Sequence, residues 1–409
     1  MNIVLLVDDY LPSTKSAPLM IQQLGLAFLR QGHSVTILAP SGDFMSGTRE
    51  TNEDGLRVIR FRSGRLKNVR KLRRTINEIM LPAHVLRYWL FYPRIRKADL
   101  IVSYSPTIFW GAAIRIIKAF HGPKNYLILR DIFPQWAVDS GLLKEHSPIT
   151  VFFRFFESIN YAAADIIGVQ SPGCCEYFRN TRFSNKITVL YNWVELSSPE
   201  TQYYGLRQKY QWEDKTIFFY GGNIGLAQDI DNLMRLARAM KQYPQARFLF
   251  VGKGDAFSLV ERRIEEWHLS NTLLHPSVPQ EDYMKILEEC DVGMITLHPN
   301  HKTQNIPGKL LGYLTHFKPV LASVNSNNDL LELIPKHNSG FVSVNPDDKS
   351  LFHHAVLLLD TKIRKQMGDG AFSFAKRVFD VNATTQIILS AIIPQKNENV
   401  LNKDMIHNL

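Results

Sequence analysis

The sequence predicts an α/β protein with two doubly wound domains, each built on a parallel sheet. Short apolar runs, typical of buried strands, alternate with segments of helical periodicity. The alternation stops near the middle of the chain and then starts again. A length of 409 residues also fits two domains, because a domain usually holds roughly 150 residues.

The predicted strands fall into two series. The first series lies at residues 3–7, 35–38, 58–61, 100–103, 126–129, 166–169 and 187–190, and the second at 217–220, 248–251, 292–295, 320–323 and 341–344. Residues 192–201 lose periodicity and gain turn residues, which indicates a linker. We therefore expect domains at 1–195 and 196–375, a helix at 376–394 that crosses back to the first domain, and a disordered polar tail at 395–409. Two such sheets facing each other would form a ligand-binding cleft, because ligands bind beyond the carboxyl ends of parallel strands.

The composition favours a globular protein of a reducing compartment. Hydrophobic residues make up 45% of the chain and charged residues 21%, which is ordinary for folded proteins. The three cysteines, Cys174, Cys175 and Cys290, lack the spacing of a disulfide framework. Asp8 and Asp9 interrupt the apolar start of the chain, unlike a signal peptide, and no apolar stretch reaches the roughly 20 residues that span a bilayer. We expect a cytoplasmic protein without a transmembrane helix.

Positive charge is concentrated in residues 57–97. This segment holds thirteen Lys or Arg residues against one acid, Glu78, whereas the whole chain has a net charge of +10. Aromatic and apolar residues lie between the cations, as in helices that bind membrane surfaces. We interpret the segment as contacting an anionic membrane surface; a solvated helix face and nucleic-acid binding are the alternatives, and we expect no nucleic-acid partner. The residues expected to make the membrane contact are Arg70, Lys71, Arg73, Arg74 and Trp89.

A glycine-rich segment of the second domain follows a predicted strand. Gly221, Gly222, Asn223 and Gly225 come after the strand at 217–220, before a helix that begins near residue 229. Glycine lets backbone amides approach an anion, and a helix N-terminus adds partial positive charge. The pattern favours diphosphate binding, with a simple tight turn as the alternative.

Gly252 also follows a predicted strand, and we interpret it as a point where the backbone approaches a ligand. A dinucleotide fingerprint would need glycine at position 257, where the chain has Phe257, so hydride transfer is a minor hypothesis. Asp229 and Asp231 look like a D-x-D metal motif, but we interpret them as helix-capping residues. We expect no metal ion and no cofactor.

Pro307, Gly308, Lys309 and Leu310 end a loop and begin a helix. A helix that starts at Lys309 would direct backbone amides and an ammonium group to one point, where a phosphate would be held. The alternative is an ordinary helix start with a solvated lysine.

Arg130 and Asp131 follow the first-domain strand at 126–129. Such a pair at a strand end can bind sugar hydroxyls or shape the charge beside a reacting bond, and a structural ion pair is the alternative. The sequence has neither a G-x-S-x-G elbow nor an H-E-x-x-H motif, so covalent hydrolase mechanisms lack support.

Five segments resemble family-4 glycosyltransferases, and the resemblance covers essentially the whole chain. It is strongest toward bacterial N-acetyl-L-fucosamine transferases of O-antigen assembly. The resembling segments are LLVDDYLP (5–12), YSPTIFWG (104–111), LILRDIFPQW (127–136), YGGNIG (220–225) and IPGKLLGY (306–313).

The resemblance implies a GT-B fold, in which the second domain holds a nucleotide-diphosphate sugar and the first holds the acceptor. It also implies retention of the anomeric configuration without an essential metal. The residues that would contact the diphosphate are Gly221, Gly222, Asn223, Gly225, Lys309 and the amide of Leu310, with Asp131 beside the reacting carbon.

The sequence departs from the family pattern at two places. Many members carry two glutamates eight residues apart, where this chain has Gln304 and Gly312, so ribose recognition by the second glutamate is lost or moved. Asn223 and Gln228 replace an Arg and a Lys of the glycine loop, which makes Lys309 more important or means that another basic residue compensates for the lost charge.

We therefore expect a peripheral glycosyltransferase at the inner face of the cell membrane. It would move N-acetyl-L-fucosamine from a UDP donor to a polyprenyl-diphosphate-linked saccharide in O-antigen or capsule assembly. The alternatives are a GT-B-like sugar-nucleotide epimerase, a non-catalytic membrane-surface binding protein and, weakest, an oxidoreductase. The catalytic candidates are Asp131, Arg130 and Lys309, and the donor-binding candidates are Gly221, Gly222, Asn223, Gly225, Gly252, Gln304, Pro307, Gly308, Lys309 and Leu310.

Overall fold

A computed structural model describes residues 1–13, 16–42, 48–66, 69–139, 141–196, 203–300 and 306–392, apart from the side chains of Lys71, Leu72 and Arg94. The chain divides into two compact units. The first comprises Met1–Gln170, Tyr177–Leu190 and the described residues from Val381, and the second comprises Ser171–Glu176 and Tyr191–Asp380. Gln304 and the expected tail at 395–409 lie outside the described residues.

The unit boundaries differ from the expected division at 195 and 375. The short segment Ser171–Glu176 belongs to the second unit, where the backbone N–H of Gly173 lies 3.2 Å from both carboxylate oxygens of Asp329. The C-terminal helix expected at 376–394 begins at Val381. It starts later because the preceding turn stays in the second unit, where the carbonyl of Phe379 accepts the N–H of Val194 at 2.8 Å.

One eight-stranded sheet forms the centre of the first unit. Its strands are β1 (Asn2–Leu6), β2 (Ser34–Pro40), β3 (Arg49–Glu53), β4 (Leu56–Phe61), β5 (Leu100–Tyr104), β6 (Lys124–Leu129), β7 (Ile166–Val169) and β8 (Ile187–Val189). The strand order is β3-β4-β2-β1-β5-β6-β7-β8, and only the β3–β4 pair is antiparallel. The order reverses between β1 and β5, which is where doubly wound sheets bind ligands.

Helices cover this sheet, which explains why its central strands are continuous apolar runs. The helices are α1 (Ser16–Arg30), α2 (Lys71–Phe91), α3 (Pro93–Arg96), α4 (Trp110–His121), α5 (Gln135–Asp139) and α6 (Pro148–Ala163). α4 packs against both α2 and α6. Gly111 allows the close approach of α4 to α6, because a Cβ there would overlap the backbone of Asn160.

The second unit has a six-stranded sheet that is parallel throughout. Its strands are β9 (Thr216–Asn223), β10 (Ala246–Lys253), β11 (Thr272–Pro276), β12 (Val292–Thr296), β13 (Val320–Val324) and β14 (Gly340–Val344), in the order β11-β10-β9-β12-β13-β14. Its helices are α7 (Pro172–Glu176), α8 (Leu206–Tyr210), α9 (Ile230–Ala239), α10 (Phe257–Glu266), α11 (Gln280–Glu288), α12 (Lys309–Thr315), α13 (Leu330–Lys336), α14 (Asp348–Leu357) and α15 (Thr361–Phe374). Phe218 and Phe219 of β9 enter separate cores on the two faces of the sheet, so this strand is also a continuous apolar run.

The last described helix, α16 (Val381–Ile392), returns to the first unit and packs against α1. The amide of Gln31 donates to the hydroxyl of Thr385 at 2.5 Å, and Ile388 is fully buried. The prediction of a C-terminal helix that crosses back is confirmed. Among the described residues, none of the helices combines the length and the hydrophobicity needed to cross a bilayer.

Candidate functional site

The glycine segment of the second unit begins inside a strand. β9 extends to Asn223 and pairs in register with β10, so that Gly222 lies beside Gly252. The expectation that these glycines follow the strands is wrong, because backbone pairing keeps them in the sheet. A Cβ on Gly252 would overlap the carbonyl oxygen of Gly222. Gly252 is buried and allows two strand ends to pack, so it is not the open approach point that the sequence indicated.

Gly222 turns the backbone at the end of β9. Its φ of 116° lies in the region that favours glycine, and the residue is exposed. The neighbour of a Cβ placed there would be the Cε atom of Lys309, at 3.9 Å. The structure therefore brings the predicted lysine beside the predicted glycine segment.

Lys309 begins α12, as the sequence predicted. Its ammonium lies 3.3 Å from the centroid of the Tyr220 ring, a cation–π arrangement. Tyr220 is itself fully buried, and its hydroxyl donates to the carbonyl of Asn223 at 2.8 Å. Withdrawal from water lowers the pKa of the Lys309 ammonium well below its usual value. An anion that entered here would meet a poorly hydrated amine on a rigid aromatic support.

The hydroxyl of Tyr313 connects the glycine segment to β12 through two hydrogen bonds. It accepts the N–H of Gly221 at 3.3 Å and lies 3.2 Å from the carbonyl of Met294 on β12, to which it donates. Gly221 in turn packs against Tyr283, whose ring a Cβ on Gly221 would overlap. Tyr313 was not predicted as a site residue, although its position four residues after Lys309 places it on the same helix face.

In the loop before α12, the backbone amide of Leu310 does not have the role that the sequence predicted. The N–H of Leu310 donates to the carbonyl of Pro307 at 3.0 Å, so this amide closes the local turn instead of pointing to an open cradle. Gly308 is exposed, and a Cβ there would meet no atom within 4 Å. Gln304 lies outside the described residues, and its role stays a prediction.

Asn223 and Gln228 carry neutral side-chain amides where many family members carry an Arg and a Lys. The side-chain amide of Asn223 donates to the side-chain oxygen Oε1 of Gln228 at 3.0 Å. Lys253 is exposed and lies beside Asn223 in the β9–β10 register, a position that sequence reasoning missed because it depends on strand pairing. It is a candidate for the compensating positive charge.

Asp229 occupies the N-cap position of α9 and Asp231 lies in the first turn, as predicted, but the Asp229 side chain makes no capping hydrogen bond. Asp229 precedes α9 with a φ of 46°, and its carboxylate accepts the side-chain amide of Asn345 at 2.8 Å. Asp231 forms ion pairs with Arg235 at 3.2 Å and Arg263 at 2.7 Å. Within the described ranges, no three His, Cys, Asp or Glu side chains are grouped as metal ligands would be.

The polar cluster of the first unit lies where β1, β5 and β6 end. Asp131 is exposed, yet the protein atoms around its carboxyl partly desolvate it and raise its pKa, and the positive charge of Arg130 opposes this effect. Tyr104 is buried at the end of β5, and its pKa is raised by burial; the charges of Asp8 and Asp131 add to this, whereas Arg130 lowers it. Asp8, Arg130 and Asp131 therefore all act on the charge state of Tyr104, and Arg130 also acts on Asp131.

Hydrogen bonds tie both the side chain and the backbone of Arg130 to neighbouring strand ends. Its Nη1 donates to the carbonyl of Leu190 at 2.7 Å, and its own carbonyl accepts the side-chain amide of Gln170 at 2.5 Å. Both partners follow neighbouring strands, so the bonds fix the loop that carries Asp131. The contacts favour a positioning role for Arg130 and leave Asp131 as the catalytic candidate of this unit.

The expected membrane residues lie on or beside α2. Arg70 and Arg73 are exposed, and Arg74 is exposed but pairs with Glu78 at 2.7 Å. Trp89 contradicts the expectation, since it is only 5% exposed and packs between Phe120 and His121 in the core. The side chain of Lys71 is not among those described.

Comparison with known families matches both halves of the chain. A model of the glycosyl transferase 4-like domain matches residues 19–193, and a model of glycosyl transferases group 1 matches residues 205–373. The glycine segment and Lys309 fall in the second match, and Arg130 and Asp131 fall in the first.

Relatives with assigned names are distant. The probable glycosyltransferase WbjE of Pseudomonas aeruginosa is 23% identical over 254 residues, which cover 61% of this chain and 63% of the relative. A protein of Escherichia coli K12 named as a colanic acid biosynthesis glycosyl transferase, WcaI, is 20% identical over 259 residues, with the same coverages. The matched part thus spans less than two thirds of either relative.

A solved structure supports the fold over nearly the full length. The crystal structure of Anabaena HepE in complex with UDP superposes with a TM-score of 0.66 at 16% identity, covering 95% of this chain and 98% of that one. Two parallel-sheet units of this kind are the GT-B fold, so the predicted fold class is confirmed. The chain therefore has the GT-B fold and carries a glycosyl transferase 4-like domain followed by a glycosyl transferases group 1 domain.

Proposed function

We propose that this protein is a retaining, peripheral membrane glycosyltransferase of the cytoplasm that acts in O-antigen or capsule assembly. Its donor is a UDP-sugar, UDP-N-acetyl-L-fucosamine in our assignment. Its acceptor is a saccharide linked to polyprenyl diphosphate on the inner leaflet of the cell membrane. The reaction needs neither a metal ion nor a cofactor.

The arrangement of Lys309 beside Gly222 carries the donor assignment. The ammonium rests on Tyr220, and the Gly222 backbone leaves space open on the side of the lysine. A diphosphate in this space would favour the charged form of Lys309 and accept hydrogen bonds from it. The similarly folded HepE binds UDP, which is the kind of ligand proposed here.

The chemistry follows from where negative charge develops. In front-face substitution, the bond between the sugar and the leaving diphosphate breaks as the acceptor oxygen attacks the same face, and a donor phosphate oxygen takes the acceptor proton. The UDP leaving group gains charge in the transition state, and Lys309 would stabilise it there. Asp131, fixed by the bonds of Arg130, would orient the acceptor hydroxyl beside the reacting carbon.

The acceptor assignment rests on charge and on the relatives' biology. The segment 57–97 carries thirteen cations and one acid, a composition that attracts anionic membranes. The WcaI relative is named for colanic acid biosynthesis, a polysaccharide pathway. A lipid-linked saccharide acceptor would account for both observations, because such a substrate stays at the membrane.

The test begins with thermal stabilisation by UDP, GDP, TDP, UDP-sugars and NAD. We expect the melting temperature to rise with UDP and most with UDP-hexosamines, since ligands of the folded state stabilise it. A second assay follows sugar transfer to a polyprenyl-diphosphate acceptor. Donor epimerisation without acceptor, or a response to NAD alone, would overturn the proposal.

A further inference from the structure

α6 exposes an unusually apolar face. Its outward side chains Ile149, Val151, Phe152 and Phe155 are 51%, 59%, 39% and 61% exposed, and Pro148 is exposed as well. Monomeric proteins rarely leave large apolar groups together in water, so a face of this kind marks an interaction surface. The only acid of the helix, Glu157, is buried and points away from it.

The opposite side of α6 is firmly packed. Phe153 and Phe156 contact Phe133 and Phe109, with ring centroids 4.8 and 4.9 Å apart in the two pairs. The hydroxyl of Ser147 accepts the N–H of Thr150 and caps the helix start. The apolar face is therefore presented by a rigid helix.

Exposed cations lie in the same unit, on α2. Ile79 of α2 packs against the cluster of Ile108, Phe109 and Phe153, and Phe153 belongs to α6. Arg70 and Arg73 are exposed at the start of α2. An apolar face together with exposed cations in one unit is complementary to an anionic bilayer, whose headgroups attract the cations and whose acyl chains accept the aromatic rings.

The apolar face lies at the same edge of the first sheet as Asp131, the catalytic candidate. α2 follows β4 and α6 follows β6, so both helices begin at the carboxyl edge of the first sheet. Asp131 lies at the same edge, immediately after β6. A second apolar group, Leu90, Phe91 and Phe120, lies at the ends of α2 and α4, which are at the opposite edge.

We propose that the outer face of α6 inserts into the interfacial layer of an anionic membrane, while Arg70 and Arg73 contact lipid headgroups. The surface would hold the carboxyl edge of the first sheet at the depth where a lipid-linked acceptor presents its saccharide. This purpose rests on the proposed function, whereas the membrane contact itself does not. The surface replaces Trp89, which is buried, as the apolar part of the membrane contact.

The test is flotation of the full chain with vesicles of phosphatidylglycerol and phosphatidylethanolamine. We expect the F152S/F155S double variant to lose at least tenfold in vesicle affinity, because each buried aromatic ring contributes about that factor. The matched control is F120S, which removes an equally large ring, 71% exposed, from the opposite edge and should leave the affinity unchanged. The R70E/R73E variant should bind weakly and lose the salt dependence of the wild type.

Three results would overturn the inference. They are unchanged binding of F152S/F155S, equal losses in F120S, and a dimer of the wild type that F155S dissociates, since the face would then bind a second copy. Thermal stabilisation by UDP is measured on every variant. If the wild type binds vesicles but is not stabilised by UDP, the proposed function is wrong and the membrane-binding surface still stands.

Discussion

The ammonium of Lys309 rests on the face of Tyr220, 3.3 Å from the ring centroid, at the end of the strand that carries Gly221 and Gly222. An aromatic face stabilises a cation, yet it replaces few of the hydrogen bonds that water would give. The lysine is therefore positioned but under-solvated, a state that favours capture of an anion.

Replacing Lys309 with Met should lower kcat/KM by roughly ten- to hundredfold, the value of a hydrogen bond to a charged group at about 1.5–3 kcal/mol. The measurement is steady-state transfer from the UDP-sugar, together with the UDP-induced rise in melting temperature. Lys349→Met, which changes an exposed lysine of α14, is the control and should behave as wild type. If K309M keeps wild-type activity, Lys309 does not contribute to the donor site.

The affinity for UDP should depend on pH through the same lysine. Burial lowers the pKa of Lys309 in the free protein, and a bound diphosphate would raise it again. Binding then takes up a proton when the pH lies between the lowered pKa of the free protein and the raised pKa of the complex, and the affinity falls as the pH rises through that range. Calorimetry in two buffers of different ionisation enthalpy measures the proton uptake, which Lys309→Met should abolish. Equal proton uptake by wild type and variant would assign it to another group.

Gly252 and Gly308 form a matched pair. Gly252→Ala should lower the free energy of unfolding by about 1–3 kcal/mol, because the added Cβ would overlap the carbonyl oxygen of Gly222. Gly308→Ala adds the same atom where nothing lies within 4 Å, so its stability should match the wild type. Urea denaturation measures both. If Gly308 borders the donor, G308A will lose UDP affinity without losing stability.

Tyr313→Phe should couple stability to donor binding. The substitution removes the hydroxyl that accepts the Gly221 N–H and donates to the Met294 carbonyl, leaving both groups buried. We expect a loss of about 1–3 kcal/mol in the free energy of unfolding and a weaker response to UDP. Denaturation and thermal shift measure the two effects. A stable Y313F protein with normal UDP binding would show that the bridge does not hold the glycine segment.

Asp131→Asn should inactivate the enzyme without destabilising it. A raised carboxyl pKa means that the folded state holds its proton more tightly than the unfolded state, so ionised Asp131 costs stability above its folded pKa. The melting temperature of D131N relative to wild type should thus rise between pH 4 and pH 8, while transfer falls at least about a hundredfold. A loss of melting temperature at pH 8 would contradict a desolvated carboxylate.

The strand pattern was predictable because both sheets are covered by helices. All twelve predicted strands are present, since continuous apolar runs such as β1 and β12 mark strands buried on both faces. β3 and β11 were missed. β3 is the polar, antiparallel edge segment Arg49–Glu53, and β11 is a half-buried edge strand that ends at Pro276, so neither has the apolar signal.

The site was predictable only as a set of segments. The sequence placed Lys309 at a helix start and near the glycine segment, but it could not show that Tyr220 supports the ammonium or that Leu310 has an internal partner. Trp89 was misplaced because a mixed helix such as α2 does not reveal which of its aromatic residues turns inward. The catalytic and donor roles stay predictions until they are measured.

The return of α16 to the first unit has a consequence for synthesis on the ribosome. The first unit lacks its last packing helix until residue 392 has been made, because Ile388 and Thr385 complete the layer against α1. The second unit needs nothing beyond residue 380. The second unit therefore has all its residues available first. The first unit stays incomplete until a helix is made that follows the whole of the second unit in the sequence.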